Sequence, residues 1–410
     1  MTVAGLRSYE IYQRQRLRDT TALIKPRQLT STEYLADPYP IVEILRENYP
    51  CYRDWPGNAY WISRYDDVTS VFADDPNYES RSKLWFYERV GFGRDLRDEL
   101  PVLHCIAGRL DASMEPVARQ LTSELGPNLA TEFCARYPIE LWARVLDLPP
   151  ADIAMFAERW WRMQRGYHWE PIAQQAGRDA MDELVMYFRP LIAQQRGDDL
   201  VSVIAGLGGT AEDLVVTLLE SDHETLHGGL ANLWFHLLTK PDQLDVVRSD
   251  RRMVRFAWFE TLRHSTPVIA AKRFARHEVE RFGRLLPEGA LVICSSAAAN
   301  RDPRIFDEPD TFDAARKDMC QREPRGMYRA DGLPAGISFG TGKPSRFPAV
   351  PEDRPRSLYA ITRDAAMTAT NVLLDELPGL RLADGATPTL RSLRVGEMHT
   401  CWDLPVVLGN

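Results

Sequence analysis

A stretch of almost thirty residues, Thr210 to Leu238, constrains this chain more than any other feature. Thr210 is placed to cap a helix, and Glu212 and Asp213 fall in the first turn, where the helix dipole favours carboxylates. The run continues through Leu214-Val215-Val216-Thr217-Leu218-Leu219 and stops near Lys240-Pro241. Most positions are apolar or small, so a helix here is apolar on most sides and has to be buried through the centre of the protein. The pattern predicts one long central helix with the remaining elements packed around it.

The rest of the chain supplies that packing. Of its 410 residues 44% are apolar, enough for a substantial core. Ile41 to Leu45 reads as helix, and Tyr60-Trp61-Ile62 reads as strand after the Gly57-Asn58 turn signal. Helical patterns follow over Ala130 to Leu146, Ala151 to Met163, Ala176 to Gln195 and Asp250 to His264. Strands are expected around Val268 to Ala275, Glu278 to Phe282 and Ala290 to Ser295, with a turn at Pro287-Glu288-Gly289. A last helix is expected from Thr362 to Leu377, ending at Pro378-Gly379. No repeat or linker divides the sequence, so residues 1–410 read as a single, mainly α domain with small β-sheets at one side.

Charge and cysteine usage narrow the function. The net charge of -8 is spread without long blocks of one sign, which argues against nucleic acid as a partner. No segment approaches the roughly 20 apolar residues that span a bilayer, so no membrane partner and a cytoplasmic location are expected. Six cysteines stand far apart at 51, 105, 134, 294, 320 and 401, the pattern of unpaired thiols in a reducing compartment.

An ordered set of motifs goes further. Glu260-Thr261-Leu262-Arg263 is followed by Arg273-Phe274-Ala275, Leu286-Pro287-Glu288-Gly289, Ala298-Ala299-Asn300-Arg301-Asp302-Pro303, Glu308-Pro309-Asp310 and Phe312-Asp313-Ala314-Ala315-Arg316. With His223-Glu224-Thr225 and Pro241-Asp242-Gln243-Leu244 upstream, the set closely resembles the soluble bacterial branch of the cytochrome P450 superfamily. The resemblance implies that family's triangular, mostly helical fold with small sheets. It casts Glu260, Arg263 and Arg316 as a structural triad, and Arg273 and His104 as partners for haem propionates if haem is bound.

One departure stands out. Phe339-Gly340-Thr341-Gly342 matches the loop that precedes the family's iron-ligating cysteine, yet no cysteine lies between Cys320 and Cys401. Counting forward from Gly342 places Arg346 at the ligand position, and counting back from Leu377-Pro378-Gly379-Leu380 places Arg356 there. Arginine stays cationic and cannot replace a thiolate whose electron donation favours O–O cleavage. The segment Lys343 to Arg356 reads as rebuilt, and conventional monooxygenase activity is not expected. The expected cofactor is none, or haem held without cysteine ligation.

Glu224 and Thr225 match the family's proton-delivering acid–alcohol pair, and Asp222 replaces a small residue normally found beside the porphyrin. His223 to His227 also spells HExxH, a zinc pattern on a helix. No third ligand follows at short spacing, and no metal is expected. The favoured reading is a haem-independent enzyme of secondary metabolism. Asp222, His223, Glu224 and Thr225 would perform acid–base chemistry, such as cyclisation, dehydration or isomerisation, on a natural-product intermediate. Two alternatives stay open. One is a non-catalytic partner that activates a glycosyltransferase; the other is a haem-binding monooxygenase-like protein with an altered or missing axial ligand.

Overall fold

The computed structural model describes residues 23–25, 27–167, 170–194, 197–221, 223–319, 358–393 and 398–409, and the side chains of residues 360 onward in the last helix. Asp222 and the segment 320–357, which holds the Phe339 to Gly342 loop, Arg346 and Arg356, lie outside the described residues. The chain divides into two compact units, each gathered from three stretches of sequence.

The first unit comprises Met1–Arg81, Asn232–Ala349 and Thr389–Trp402. Its centre is a five-stranded sheet. β1 (Tyr52–Asp54), β2 (Ala59–Ile62), β3 (Tyr78–Glu79) and β4 (Ala271–Ala275) belong to it, as does β7 (Leu291–Cys294), in the order β1-β2-β7-β4-β3. β2 runs parallel to β7, and the other pairs are antiparallel. On one side Tyr60, Ile62, Val292 and Cys294 pack with Val68, Val71 and Phe72 of the Tyr65–Phe72 helix. On the other, Trp61 and Tyr52 meet Ile41, Val42 and Leu45 of the Tyr39–Asn48 helix. Alternation along the strands therefore feeds two apolar layers.

β5 (Val279–Arg281) and β6 (Arg284–Leu286) form a separate hairpin. Phe282 and Gly283 both have positive φ, the geometry of the mirror-image turn that suits two-residue hairpins. The expected turn before β7 also forms: the N–H of Ala290 donates to the carbonyl of Pro287 at 3.0 Å, with Gly289 at φ 73.

The expected triad is assembled within this unit. Glu260 receives Nε and Nη2 of Arg263, both at 2.8 Å, and Nε of Arg316 at 3.1 Å. Arg263 also donates to the carbonyls of Asn300 and Pro309, and Arg316 to those of Asp307 and Thr311. All three side chains are buried. The carbonyls tie the ion network to the irregular 300–316 segment, giving that loop a fixed frame without secondary structure.

The second unit comprises Ser82–Ala231, Val350–Pro388 and Asp403–Asn410 and is helical. The Leu100–Ser123 helix packs on Arg136–Val145 and Leu358–Glu376, and Ile153–Arg165 packs on Pro171–Gln194. The central run starts as the sequence predicts. Thr210 Oγ1 accepts from the Asp213 N–H at 3.2 Å, and Asp213 Oδ2 accepts from the Thr210 N–H at 3.0 Å, a complete capping box. It does not continue as one helix. The first helix is Ala211–Leu219 and the second His223–Thr239, so the predicted continuous helix is interrupted at Glu220 and Ser221. Among the described residues no helix is long and apolar enough to cross a membrane.

Candidate functional site

The break is made by side chains that take over the bonds another helical turn would have made. A helix end leaves its last carbonyls without partners. Here Gln164, from the Ile153–Arg165 helix, donates its Nε2 to the carbonyls of both Leu218 and Leu219, each at 3.2 Å. The Ser221 hydroxyl donates to the Leu218 carbonyl, and the His223 N–H donates to the Ser221 carbonyl at 2.9 Å. These contacts satisfy an opened helix end, and they explain why apolar periodicity alone predicts no interruption.

Lys83 bridges the gap. Its backbone N–H donates to Glu220 Oε1 at 2.6 Å, at the end of the first helix. Its Nζ donates to Glu224 Oε1 and Gln164 Oε1, both at 2.9 Å, and lies 5.4 Å from the centre of the Tyr167 ring. The Lys83 and Glu224 side chains are 15% and 20% exposed, so their attraction is only partly screened. Burial opposes the charge on each, but the partners outweigh it. The Glu224 carboxyl is held well below the usual range by Lys83 and His223, and the Lys83 ammonium is held above its ordinary value by Glu224 and Glu220. Glu224 is an ionised carboxylate at neutral pH.

The histidines are of the opposite kind. His223 and His227 share a helix face and meet the Trp161 ring edge-on at 5.6 and 5.4 Å, and His223 also meets Trp160 at 5.5 Å. Burial lowers the pKa of His223 to about 4 and of His227 to about 3, so both are neutral. His223 borders a cavity of about 30 Å3, room for one water, with Leu110, Leu226 and Thr362 among its lining. HExxH thus places its imidazoles together as helical spacing requires, against indole rings. Among the described residues no cluster of three His, Cys, Asp or Glu side chains is arranged to hold a metal.

Of the four acid–base candidates, His223, Glu224 and Thr225 open the second helix, with Thr225 fully buried, while Asp222 falls outside the described residues. Lys83, Gln164 and Glu220 were not singled out from the sequence. They are separated by 81 and 56 positions, and the only local signal is a lone lysine in the apolar run Leu84-Trp85-Phe86.

Comparisons with known proteins bear on the same features. The sequence model of the cytochrome P450 family matches residues 249–321. Cytochrome P450 107B1 of Saccharopolyspora erythraea is 30% identical over 80% of this chain and 84% of its own length. Pulcherriminic acid synthase of Bacillus subtilis is 25% identical over 88% of this chain and 93% of its own. Among solved structures, cytochrome P450 PksS of the Bacillus subtilis bacillaene polyketide synthase superposes with a TM-score of 0.72, covering 93% of this chain and 100% of that one at 21% identity. The last likeness establishes the fold.

These matches overturn the expectation of a chain without a cofactor. Proteins of this family are cytochromes, and haem is their prosthetic group. Its two expected propionate partners differ in fitness. Arg273 is buried on β4, its Nη1 donating to the Lys272 carbonyl at 2.9 Å and its guanidinium 4.8 Å from the Phe72 ring centre. A buried, permanently charged guanidinium suits an anionic group such as a propionate. His104 is exposed on the Leu100–Ser123 helix and lacks that enclosure. Arg109, five positions further along the same helix, is engaged with Asp198. Arg273 fits the group, and His104 does not.

Proposed function

The chain belongs to the cytochrome P450 family, and from that premise we propose that it transforms a small natural-product intermediate, with haem as cofactor and the broken central helix as its proton-handling element. The bacterial relatives that include a pulcherriminic acid synthase and a P450 of a polyketide synthase support a place in secondary metabolism. The observation that carries the reading is the polar break itself. Lys83, Gln164, Glu220 and Glu224 converge there, and the acid–alcohol pair Glu224-Thr225 opens the second half of the helix.

The same geometry speaks against acid–base chemistry by these residues as the whole of the reaction. A general acid or base is most effective with a pKa near the working pH. Glu224 is clamped as an anion by Lys83, so it has no proton to donate at neutral pH. His223, at about 4, is a weak base enclosed by Trp160 and Trp161. The main driving force therefore comes from the cofactor, which supplies redox chemistry when bound. Arg273 would hold a propionate, while Lys83 fixes the orientation of Glu224 beside Thr225. The chain has no cysteine between Cys320 and Cys401, so no cysteine of the Gly342 loop would be among the residues that hold the group.

The test is turnover of candidate pathway intermediates by the haem-loaded protein with a reductase, read by mass spectrometry. A product with one added oxygen, or one desaturated, supports the proposal. A product isomeric with its substrate, formed equally without reductant, would return the chemistry to acid–base catalysis. A reduced carbon monoxide spectrum of the same sample reports the axial donor, with a thiolate-type band counting against the non-cysteine assignment.

A further inference from the structure

The carboxyl at the break that matches no motif is Glu220. Among the described residues the break holds two cations, Lys83 and Arg97, and three carboxylates, Asp95, Glu220 and Glu224, with Asp98 acting on Arg97 from farther out. His223 faces the group as a neutral imidazole, and Gln164 and the Tyr167 ring add no charge. Among these described groups the carboxylates outnumber the cations in a partly desolvated site, which favours protonation of one of them.

The contacts determine which carboxyl takes that proton. Glu224 is in direct contact with the Lys83 ammonium at 2.9 Å. Asp95 grips Arg97 through Nε at 2.9 and 3.0 Å and Nη2 at 2.7 Å. Glu220 instead meets a neutral donor, the Lys83 backbone N–H at 2.6 Å, while Arg97 reaches past its carboxyl to donate to its backbone carbonyl. Opposite charge in contact stabilises an anion far more than a neutral N–H does. Glu220 is also half-buried, which leaves a route for exchange with water.

We propose that Glu220 carries the exchangeable proton at the break of the central helix, taking it from solvent and holding it beside Glu224, whose carboxylate contacts the Lys83 ammonium. The direction of its titration agrees: burial pushes the Glu220 carboxyl above its ordinary value, with Lys83 and Arg97 only partly offsetting it. Lys83 is then a positioning residue that keeps the two carboxyls in different protonation states. Such a pair, pushed apart in pKa by its surroundings, divides the roles of proton holder and fixed anion. This inference rests on the reading of the break as a proton-handling element.

The experiment needs no substrate and no turnover, so its failure is distinct from failure of the proposed function. Infrared difference spectra of the purified holoprotein are recorded during a pH titration in H2O and D2O for wild type, Glu220→Gln and Glu224→Gln. The expected result is a protonated-carboxyl band that persists above the ordinary glutamate range and shifts in D2O. It should be lost in Glu220→Gln, and in Glu224→Gln it should remain but disappear at lower pH than in wild type, because one of the three carboxylates is gone and Lys83 is left to Glu220. Should Glu220→Gln fail to fold, Glu220→Asp serves, since moving the carboxyl back by one methylene must shift the same band. A band that survives unchanged in either Glu220 variant, is absent at every pH in Glu224→Gln, or is missing from wild type overturns the assignment.

Discussion

Replacing Lys83 with methionine removes a cation that touches both sides of the helix break, and the structure sets the size of the effect. At 2.9 Å and an effective dielectric of about 20, the Lys83–Glu224 attraction is roughly 6 kcal/mol before desolvation. Much of that offsets the cost of removing both groups from water. Taking away one partner of such a pair typically costs about 3–5 kcal/mol, because the remaining charge stays buried. With side chains 15% and 20% exposed, the low end, about 3 kcal/mol, is expected near pH 7. Methionine keeps the stem volume, so the loss is electrostatic rather than a cavity effect. Removing the cation also lets burial raise the Glu224 pKa toward and beyond its ordinary value, so the deficit should shrink as the pH falls and Glu224 is protonated. Urea denaturation of wild type, Lys83→Met, Glu224→Gln and the double variant at two pH values measures all of this. The double variant should recover most of the Lys83→Met deficit, giving a coupling energy of about 2 kcal/mol. A Lys83→Met loss below about 1 kcal/mol, with no coupling, would refute the role given to this pair.

The other predictions follow from buried charge elsewhere. Glu260→Gln leaves the buried Arg263 and Arg316 without their shared anion and should destabilise the protein by about 3–5 kcal/mol, read as a lower denaturation midpoint; an unchanged midpoint would contradict the network. His223, His227 and His399 are buried neutral, with pKa values lowered to about 4, 3 and 4, so below about pH 6.5 the unfolded chain takes up protons first. Stability is full at neutral pH and should fall as the pH drops from about 6.5 toward 4, by about 2 kcal/mol per histidine at pH 5; urea midpoints that stay level from pH 7.5 to 5 would contradict this. Arg273→Leu should lower haem retention during gel filtration several-fold while His104→Ala leaves it unchanged, and equal losses would contradict their different enclosure.

The fold was legible in the sequence where one physical pattern dominates. The capping box at Thr210 and Asp213, the turn at Pro287 to Gly289 and the Glu260, Arg263 and Arg316 network all form as their residue types require. The break in the central helix was not legible. Apolar periodicity runs through residues 214–238, and the interruption depends on Gln164 and Lys83, which reach it only through tertiary packing. The same limit applies to the site. Glu224 and Thr225 can be found from their motif, but the ionisation of Glu224 is set by a lysine 141 positions away. Glu220 has no motif and is distinguished by the contacts its neighbours make elsewhere. The expectation that no cofactor is needed drew on two local departures, the segment 343–356 and Asp222, whereas the family relationship extends over most of the chain.

The account turns on haem in a P450-family chain that has no cysteine between Cys320 and Cys401, the interval that holds its glycine-rich loop. An absorption spectrum with iron and pyridine haemochromogen quantitation on the purified protein tests this most directly. The account predicts a Soret band with close to one haem per chain, and a reduced carbon monoxide complex unlike that of a cysteine thiolate. A folded, colourless protein that stays free of iron after incubation with haem would contradict it.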